Sequence, residues 1–230
     1  MHGKLVHAAL IFPEGQPYLV NIEVMLSIFD NRPFLPRTPP RGTTDNLNWW
    51  THRLDKPAPP SPIPSPQPIV ELNAFSDASS STGISILLDS RWRAWYLRPN
   101  WNWGRRDIGW AERVGFELLV CAILHAGASD IHFKIFGDNM GVVDGWHKGR
   151  SRNKPTNDAF KRIHSALARA RCTAHAHYIP SASNPANPIS RGIYPPLHLL
   201  IPSFPIPGDL KYLIVDVTDP DATPSTPTPS

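Results

Sequence analysis

Three acidic residues, Asp77, Glu117 and Asp138, each adjoin an apolar run of the chain. Apolar runs of this length form buried strands or helices, so the three carboxylates are expected to be held rigidly at the edge of one sheet. Mg²⁺ prefers carboxylate oxygens, and two such ions ~3.5 to 4 Å apart promote phosphodiester hydrolysis by activating a water and stabilising the leaving oxygen. The pattern therefore predicts a metal-dependent nuclease.

Each acid also has a plainer structural interpretation. Asp77 precedes a serine run and is of the type that caps a turn, while Asp138 can cap the helix that follows it. Glu112 lies in the same predicted helix as Glu117, so either glutamate could be the ligand from that helix. The metal interpretation gains its weight from the three acids taken together.

Length and composition favour one domain with additional segments. The chain has 230 residues, 41% of them hydrophobic, which is enough for one full core and hardly enough for two. Of its 27 prolines, seven lie in residues 57–68 and nine lie from Pro195 to the end, where they exclude core elements. The net charge is +4, and eight Lys and Arg between Lys148 and Arg171 face a single Asp158, which favours an anionic partner.

The cellular compartment is predicted from cysteine usage and hydropathy. Cys121 and Cys172 have no metal-ligand spacing, and two cysteines in a chain of this length are more typical of buried thiols than of a disulfide. No apolar run approaches the ~20 residues of a membrane span. We therefore expect an intracellular protein, in the cytoplasm or nucleus, without membrane partners.

The order of the elements predicts a mixed α/β sheet flanked by helices. A short helix near residues 22–29 precedes a Pro-rich connector over residues 33–68. Three antiparallel strands, a long helix, a strand, two helices, a final strand and a short helix from Asn184 onward follow, and the tail after Asp216 is expected to be disordered. The predicted strands cover residues 69–75, 84–88, 92–97, 131–136 and 173–179, and the predicted helices 110–126, 138–147 and 155–170.

Several phrases resemble the ribonuclease H domain of fungal retrotransposon reverse transcriptases over residues 69–192. They are Asp107-Ile-Gly-Trp-Ala-Glu112, Gly137-Asp-Asn139, Lys148-Gly-Arg-Ser-Arg-Asn153 and Asn184-Pro-Ala-Asn-Pro-Ile-Ser-Arg-Gly192. The resemblance implies a ribonuclease H-like fold with a five-stranded mixed sheet. Residues 1–68 resemble the segment that precedes this domain, and residues 193–230 form a Pro-rich tail. The polymerase aspartates are not in this chain, so it resembles a piece of a larger polyprotein.

The same resemblance implies two Mg²⁺ ions, which Mn²⁺ could replace, and cleavage of the RNA strand of an RNA–DNA hybrid. The four acids of the family fall on Asp77, Glu117, Asp138 and Asn187. Glu117 is favoured over Glu112 because Glu-Leu-Leu followed by apolar residues matches the family helix. Asn187 keeps an oxygen but lacks the charge of the fourth acid.

The basic segment is predicted to contact nucleic acid, although a solvated loop is the alternative for any charge run. Its glycine, serine and asparagine residues supply donors suited to phosphates. The predicted contacts are Lys148, Arg150, Ser151, Arg152, Asn153 and Asn157.

Two functions remain open from the sequence. The first is a metal-dependent endonuclease acting on RNA–DNA hybrids, within a reverse transcriptase polyprotein. The second is a degenerate fragment that keeps the fold and binds nucleic acid without turnover. The three acids favour the first function, and Asn187 favours the second.

Overall fold

The computed structural model describes residues 1–29, 32, 34–56 and 68–222. These residues form seven α-helices, seven strands and four short 3₁₀ helices. The helices are α1 (His2–Ile11), α2 (Val20–Phe29), α3 (Thr43–Leu54), α4 (Ile108–His125), α5 (Met140–Lys148), α6 (Lys154–Ala170) and α7 (Asn187–Ser190). The strands are β1 (Ile69–Val70), β2 (Ala74–Ala78), β3 (Gly83–Leu88), β4 (Arg91–Leu97), β5 (His132–Gly137), β6 (Thr173–Tyr178) and β7 (Ile214–Asp216). None of the helices in these ranges is both long and apolar enough to cross a membrane.

The sheet is mixed, as the sequence predicts. Strands β2, β3 and β4 form an antiparallel meander, and β5 lies parallel to β2 with Phe75 opposite Phe136. Strand β6 pairs in parallel with one edge of β5. On the other edge, the start of β5 pairs in parallel with the short strand β1. The predicted α/β class, with three antiparallel strands followed by parallel additions, is therefore confirmed. The sheet has seven strands instead of the predicted five, because the predicted strand 69–75 is divided between β1 and β2 and because β7 is added.

Helix α4 packs against the centre of one face of the sheet. Gly115 makes this close approach possible, because a Cβ at that position would lie 3.3 Å from the side chain of Ser76 on β2. Phe116, also on α4, occupies the space beside Gly137 of β5, where an added Cβ would lie 2.9 Å from its ring. The two glycines thus set how near α4 stands to β2 and β5.

Arg113 links α4 to α5 from a buried position. Its guanidinium lies over the ring of Phe160 at 4.3 Å and near those of Phe116 and Trp146, and it donates a hydrogen bond to the carbonyl of Val142 on α5. Burial lowers the pKa of Arg113 to about 9, which still leaves the group charged at neutral pH. Aromatic faces stabilise such a cation where no carboxylate does.

The C-terminal segment covers part of the opposite face, which the sequence does not predict. Trp92 and Ala94 of β4 pack there against Ile189 and Tyr194. Strand β7 then pairs antiparallel with β4, and Arg93 donates to the carboxylate of Asp216 at 2.6 Å. A strand of three residues after a Pro-rich stretch has too weak a periodicity to be recognised. The predicted disorder falls largely on residues 223–230, which lie outside the described residues.

Helices α1, α2 and α3 form a small cluster of their own. Its core comprises Leu5, Ala9, Leu19, Ile22 and Trp50. The predicted helix near residues 22–29 is confirmed as α2, whereas α3 lies in a region predicted to be only a Pro-rich connector. The burial of Trp50 explains this helix, because one large ring in a proline-free stretch anchors it. Most of the predicted linker, residues 57–67, lies outside the described residues.

Polar contacts attach this cluster to the segment between α5 and α6. Arg150 donates to Glu23 of α2 at 2.8 Å and also to Gln16. Asn157 donates to the carbonyl of Pro17 at 2.9 Å while its oxygen accepts the backbone N–H of Ser151 at 3.0 Å. Arg150 and Asn157 therefore serve docking of the N-terminal cluster.

We expect Arg150→Ala to destabilise this docking, because Glu23 and Gln16 lose their shared cationic partner. Both members of the ion pair are partly exposed, so the expected loss is about 1 kcal/mol, or roughly 2 to 4 °C in thermal melting. Arg152→Ala is the matched control, since Arg152 is exposed. Equal melting temperatures for the two variants would contradict the docking role.

Candidate active site

The structure brings three carboxylates together at one end of the sheet. One ligand oxygen from each of Asp77, Glu112 and Asp138 lies within 4.8 Å of the others. Asp77 stands near the end of β2, Asp138 directly follows β5, and Glu112 projects from the second turn of α4. Parallel pairing of β2 with β5 places the first two side by side, and the close packing of α4 on β2 brings in the third.

Glu112, and not Glu117, is the helix residue beside the two aspartates, so the expectation for Glu117 is corrected. The five positions between them turn the helix by about 140° beyond one full revolution, which directs the two side chains to different surroundings. Both oxygens of Glu117, which is 1% exposed, accept hydrogen bonds from Arg162 of α6, at 2.6 and 2.8 Å. Glu117 therefore joins α4 to α6 and is already fully engaged.

Asp138 does not cap α5, although the sequence allows that role. The side chain of Asn139 caps α5 by accepting the backbone N–H of Val142 at 3.2 Å. Asp138 can then direct its carboxylate toward Asp77 at the end of the sheet.

The side chain of Asn187, at the position of the fourth acid, is hydrogen-bonded to neighbouring groups. Its side-chain nitrogen donates to the carbonyl of Ser181 at 3.2 Å and to the hydroxyl of Ser181 at 2.6 Å. Its side-chain oxygen accepts a hydrogen bond from Arg191. Both polar atoms of the Asn187 side chain are therefore already engaged by neighbours within the C-terminal segment.

Ser190 is a site residue that the sequence analysis misses. Its hydroxyl contacts the carboxylate of Asp77 as a donor and lies 2.9 Å from the backbone carbonyl of Asn187. Helix α7 therefore contributes a hydroxyl contact to Asp77 through Ser190. No local pattern indicates this contact, because Asp77 and Ser190 are 113 residues apart in the sequence.

Burial and mutual repulsion make the cluster a poor place for negative charge. Burial raises the pKa of Glu112 to about 8, and the charges of Asp77 and Asp138 add to this effect. Burial likewise raises the pKa of Asp77 to about 6. The hydrogen bond from Ser190 opposes this shift, and the charge of Asp138 adds to it. A cation among the three carboxylates would relieve the repulsion.

The predicted nucleic-acid contacts separate into three groups. Arg150 and Asn157 contact the N-terminal cluster, and the backbone N–H of Ser151 donates to the side-chain oxygen of Asn157. Lys148 and Arg152 are exposed. Asn153 caps α6 and also donates to the carbonyl of Arg105 at 2.7 Å, which ties the start of α6 to the loop before α4.

That loop adds basic side chains which the sequence analysis does not list. Arg105 is exposed, and Arg106 stacks over the ring of Trp110 at 5.6 Å. Both line a groove with Lys154 and Arg162. The loop leads directly into α4 and hence to Glu112, so its cations lie on the chain segment next to the carboxylates.

A comparison with protein-family models finds no match, and neither does a comparison with curated proteins. Two solved structures resemble the chain in part. One is RNase H1 from Halobacterium salinarum, at 16% identity and a TM-score of 0.34, covering 50% of this chain and 89% of that one. The other is the N-terminal RNase H domain of a Mycobacterium tuberculosis protein fused to maltose binding protein, at 15% identity and a TM-score of 0.36, covering 53% and 94%. Because these values are low, the chemistry of this chain has to be inferred from its own side chains.

We expect the metal-free protein to lose stability as the pH rises from about 4.5 to about 8. In this window the folded protein retains a proton on Glu112 that the unfolded chain has released, so the free energy of unfolding falls with pH. Glu112→Gln removes this titration and should gain on the order of 2 kcal/mol relative to wild type between pH 5 and pH 8.

Chemical denaturation in the presence of a chelator measures this difference. Glu71→Gln is the control, because Glu71 is an exposed glutamate. A stability difference between wild type and Glu112→Gln that stays constant with pH would show that Glu112 titrates normally.

Proposed function

We propose that this chain is a metal-dependent endonuclease of the ribonuclease H type, which cuts the RNA strand of RNA–DNA hybrids. The observation that carries the proposal is the convergence of Asp77, Glu112 and Asp138 within 4.8 Å at one end of a mixed sheet. The elements that bring them together, β2, α4 and β5, are separate in sequence, and the buried positions of Asp77 and Glu112 are unfavourable for carboxylates without a ligand.

The donor set fits a divalent metal. Three carboxylates supply hard oxygen ligands of the kind that Mg²⁺ or Mn²⁺ takes. Burial, together with the neighbouring carboxylates, raises the pKa values of Asp77 and Glu112, and a bound cation would favour their ionised forms. When bound there, a divalent ion would lower the pKa of a water and stabilise charge on the phosphate.

The side chains of this site have separable roles. Asp77, nearest the sheet centre, is the ligand best placed to be shared if two ions bind. Ser190 holds one carboxylate oxygen of Asp77 and so orients the other. Glu112 and Asp138 complete the ligand set from α4 and from the end of β5. The buried Arg113 is a positioning residue, because it connects α4 to α5 and thereby the elements that carry Glu112 and Asp138.

The basic residues in the loops before α4 and α6 support a nucleic-acid substrate. Arg105 and Arg106 precede α4, and the exposed Lys148 and Arg152 precede α6. Lys154 stands in the same groove as Arg105 and Arg106, although it also pairs with Asp158 at 2.7 Å. Such contacts read the phosphate backbone, so recognition of a hybrid would depend on helix shape and on 2′-hydroxyls.

The proposal includes a place for this domain within a retrotransposon reverse transcriptase. Its support is the set of sequence phrases around Glu112, Asp138 and Asn187. On this interpretation α1, α2 and α3 belong to the segment that joins the polymerase to the nuclease, and the remaining polyprotein would be a partner.

A degenerate nuclease is the second candidate, and the contacts of Asn187 favour it. Its amide is held by Ser181 and Arg191, so the fourth position offers neither a charge nor a free oxygen. Such a protein would bind hybrids without cutting them.

The two glutamates of α4 provide the sharpest test of the site. Glu112→Gln should reduce Mg²⁺-dependent cleavage of a hybrid at least about a hundredfold, because a metal ligand is weakened, while folding is kept. Glu117→Gln should instead cost about 2 to 3 kcal/mol of stability, since Arg162 loses a buried partner, with cleavage retained at low temperature. The reverse pattern, with Glu117→Gln inactive and Glu112→Gln active, would contradict this site.

Restoring the fourth acid tests the two candidate functions against each other. Asn187→Asp should lower the Mg²⁺ concentration for half-maximal cleavage about tenfold, because the new carboxylate adds negative charge to α7, the helix whose Ser190 contacts Asp77. Asn187→Ser is the matched control, which removes the amide without adding a charge. If the folded Asn187→Asp protein binds hybrid and remains without cleavage, the degenerate fragment becomes the better account.

A further inference from the structure

Helix α7 lies against β2 and β3 and carries Ser190 to the carboxylate of Asp77. A helix of four residues is too short to be stable by itself, so its place has to be set by the surrounding chain. Ile189 of α7 packs against Trp92 and Ala94 of β4. An apolar contact is non-directional, however, and does not fix how far along the sheet the helix lies. Directional hydrogen bonds to the start of α7 supply that constraint.

Ser85 of β3 anchors the start of α7 beside Asp77. It stands directly opposite Asp77 in the antiparallel pairing of β2 with β3, so the two side chains share a face of the sheet. Ser85 is fully buried, and its hydroxyl donates to the backbone carbonyl of Ala186 at 2.8 Å. The backbone N–H of Ser190 donates to the same carbonyl at 3.1 Å. Two neighbouring positions of the sheet are thus joined to α7 about one helical turn apart.

Asn184 provides a second anchor, from the loop before α7. Its buried side chain donates to the carbonyl of Ser76 on β2 at 3.0 Å, and its side-chain oxygen accepts the backbone N–H of Ala186 at 3.1 Å. The backbone of Ala186 is therefore held at both its N–H and its carbonyl. Buried hydrogen bonds of this kind are costly to break, because the group that loses its partner stays desolvated. Together they fix α7 relative to β2 and β3.

We propose that Ser85 and Asn184 are positioning residues, which hold α7 so that the hydroxyl of Ser190 meets one carboxylate oxygen of Asp77. The inference rests on the proposed function only in treating Asp77 as a metal ligand. Groups that orient a ligand carboxylate change metal affinity even when they do not touch the metal. Ser85 and Asn184 therefore act on the metal site through Ser190, without being ligands themselves.

Binding of Mn²⁺, followed by the electron paramagnetic resonance of the free ion, measures this effect without substrate. Ser85→Ala should weaken Mn²⁺ binding about five- to tenfold and Ser190→Ala at least about tenfold, because the carboxylate of Asp77 loses its fixed orientation. The double variant should bind Mn²⁺ within about twofold of Ser190→Ala, since Ser85 acts only through Ser190. Ser76→Ala is the matched control. Among the described residues the buried Ser76 hydroxyl has no hydrogen-bond partner, so its removal should leave Mn²⁺ binding unchanged.

Amide hydrogen exchange of the metal-free protein, measured by NMR, tests the same inference without the ion. Ser85→Ala and Asn184→Ala should each speed exchange of the Ser190 and Gly192 amides about tenfold, because α7 loses an anchor, while the amides of α6 keep their rates.

Three results would overturn the proposal: unchanged exchange at α7 in both variants, an equal rise throughout α6, or additive losses of Mn²⁺ affinity in the double variant. Failure of the wild-type protein to bind Mn²⁺ would refute the metal site of the proposed function. Exchange at α7 would then decide alone whether Ser85 and Asn184 hold this helix on Asp77.

Discussion

The close packing of α4 on β2 is the constraint on which the site depends. Gly115 lets the helix backbone approach the sheet until Ser76 fills the space that a side chain would need. At that separation Glu112, less than one turn earlier, can reach the end of β2 and meet Asp77. A larger residue at position 115 would push the helix outward and separate the glutamate from both aspartates. The acidic cluster is thus a consequence of packing at a glycine, since three carboxyl groups in a buried place would not be drawn together by their own charges.

The repulsion inside the cluster has to be offset elsewhere in the fold. Glu117 and Arg162 form a buried, two-bonded ion pair that fixes α4 to α6. Arg113 fixes the same helix to α5 through three aromatic rings and a carbonyl. Both contacts hold α4 within a few residues of Glu112, so the helix keeps its place although its acid is in an unfavourable environment. The sheet and helices therefore hold the carboxylates in position before any cation binds.

The sequence predicts the main part of the fold because the periodicity of its strands and helices is strong. The meander, α4 and α6 are recognisable from apolar spacing alone. The sequence does not decide which glutamate of α4 joins the aspartates. Glu112 and Glu117 both follow apolar residues, and only the position of the helix start determines which one faces the end of the sheet. The start is set by the cap at Asp107, and helix ends are the least certain feature of a sequence pattern. Strand β7 and the role of Arg150 depend on contacts between distant segments, which no local pattern encodes.

The C-terminal segment determines where the chain can be shortened without exposing the edge of the sheet. A boundary at residue 192, where the sequence resemblance ends, would remove β7 and the chain that packs over Trp92. The backbone of β4 would then be an unpaired edge beside an uncovered indole and an arginine, Arg93, without its carboxylate partner. Exposed edges of this kind recruit other strands, so a preparation that ends at residue 192 would aggregate, whereas one that extends through residue 217 keeps its own protective strand.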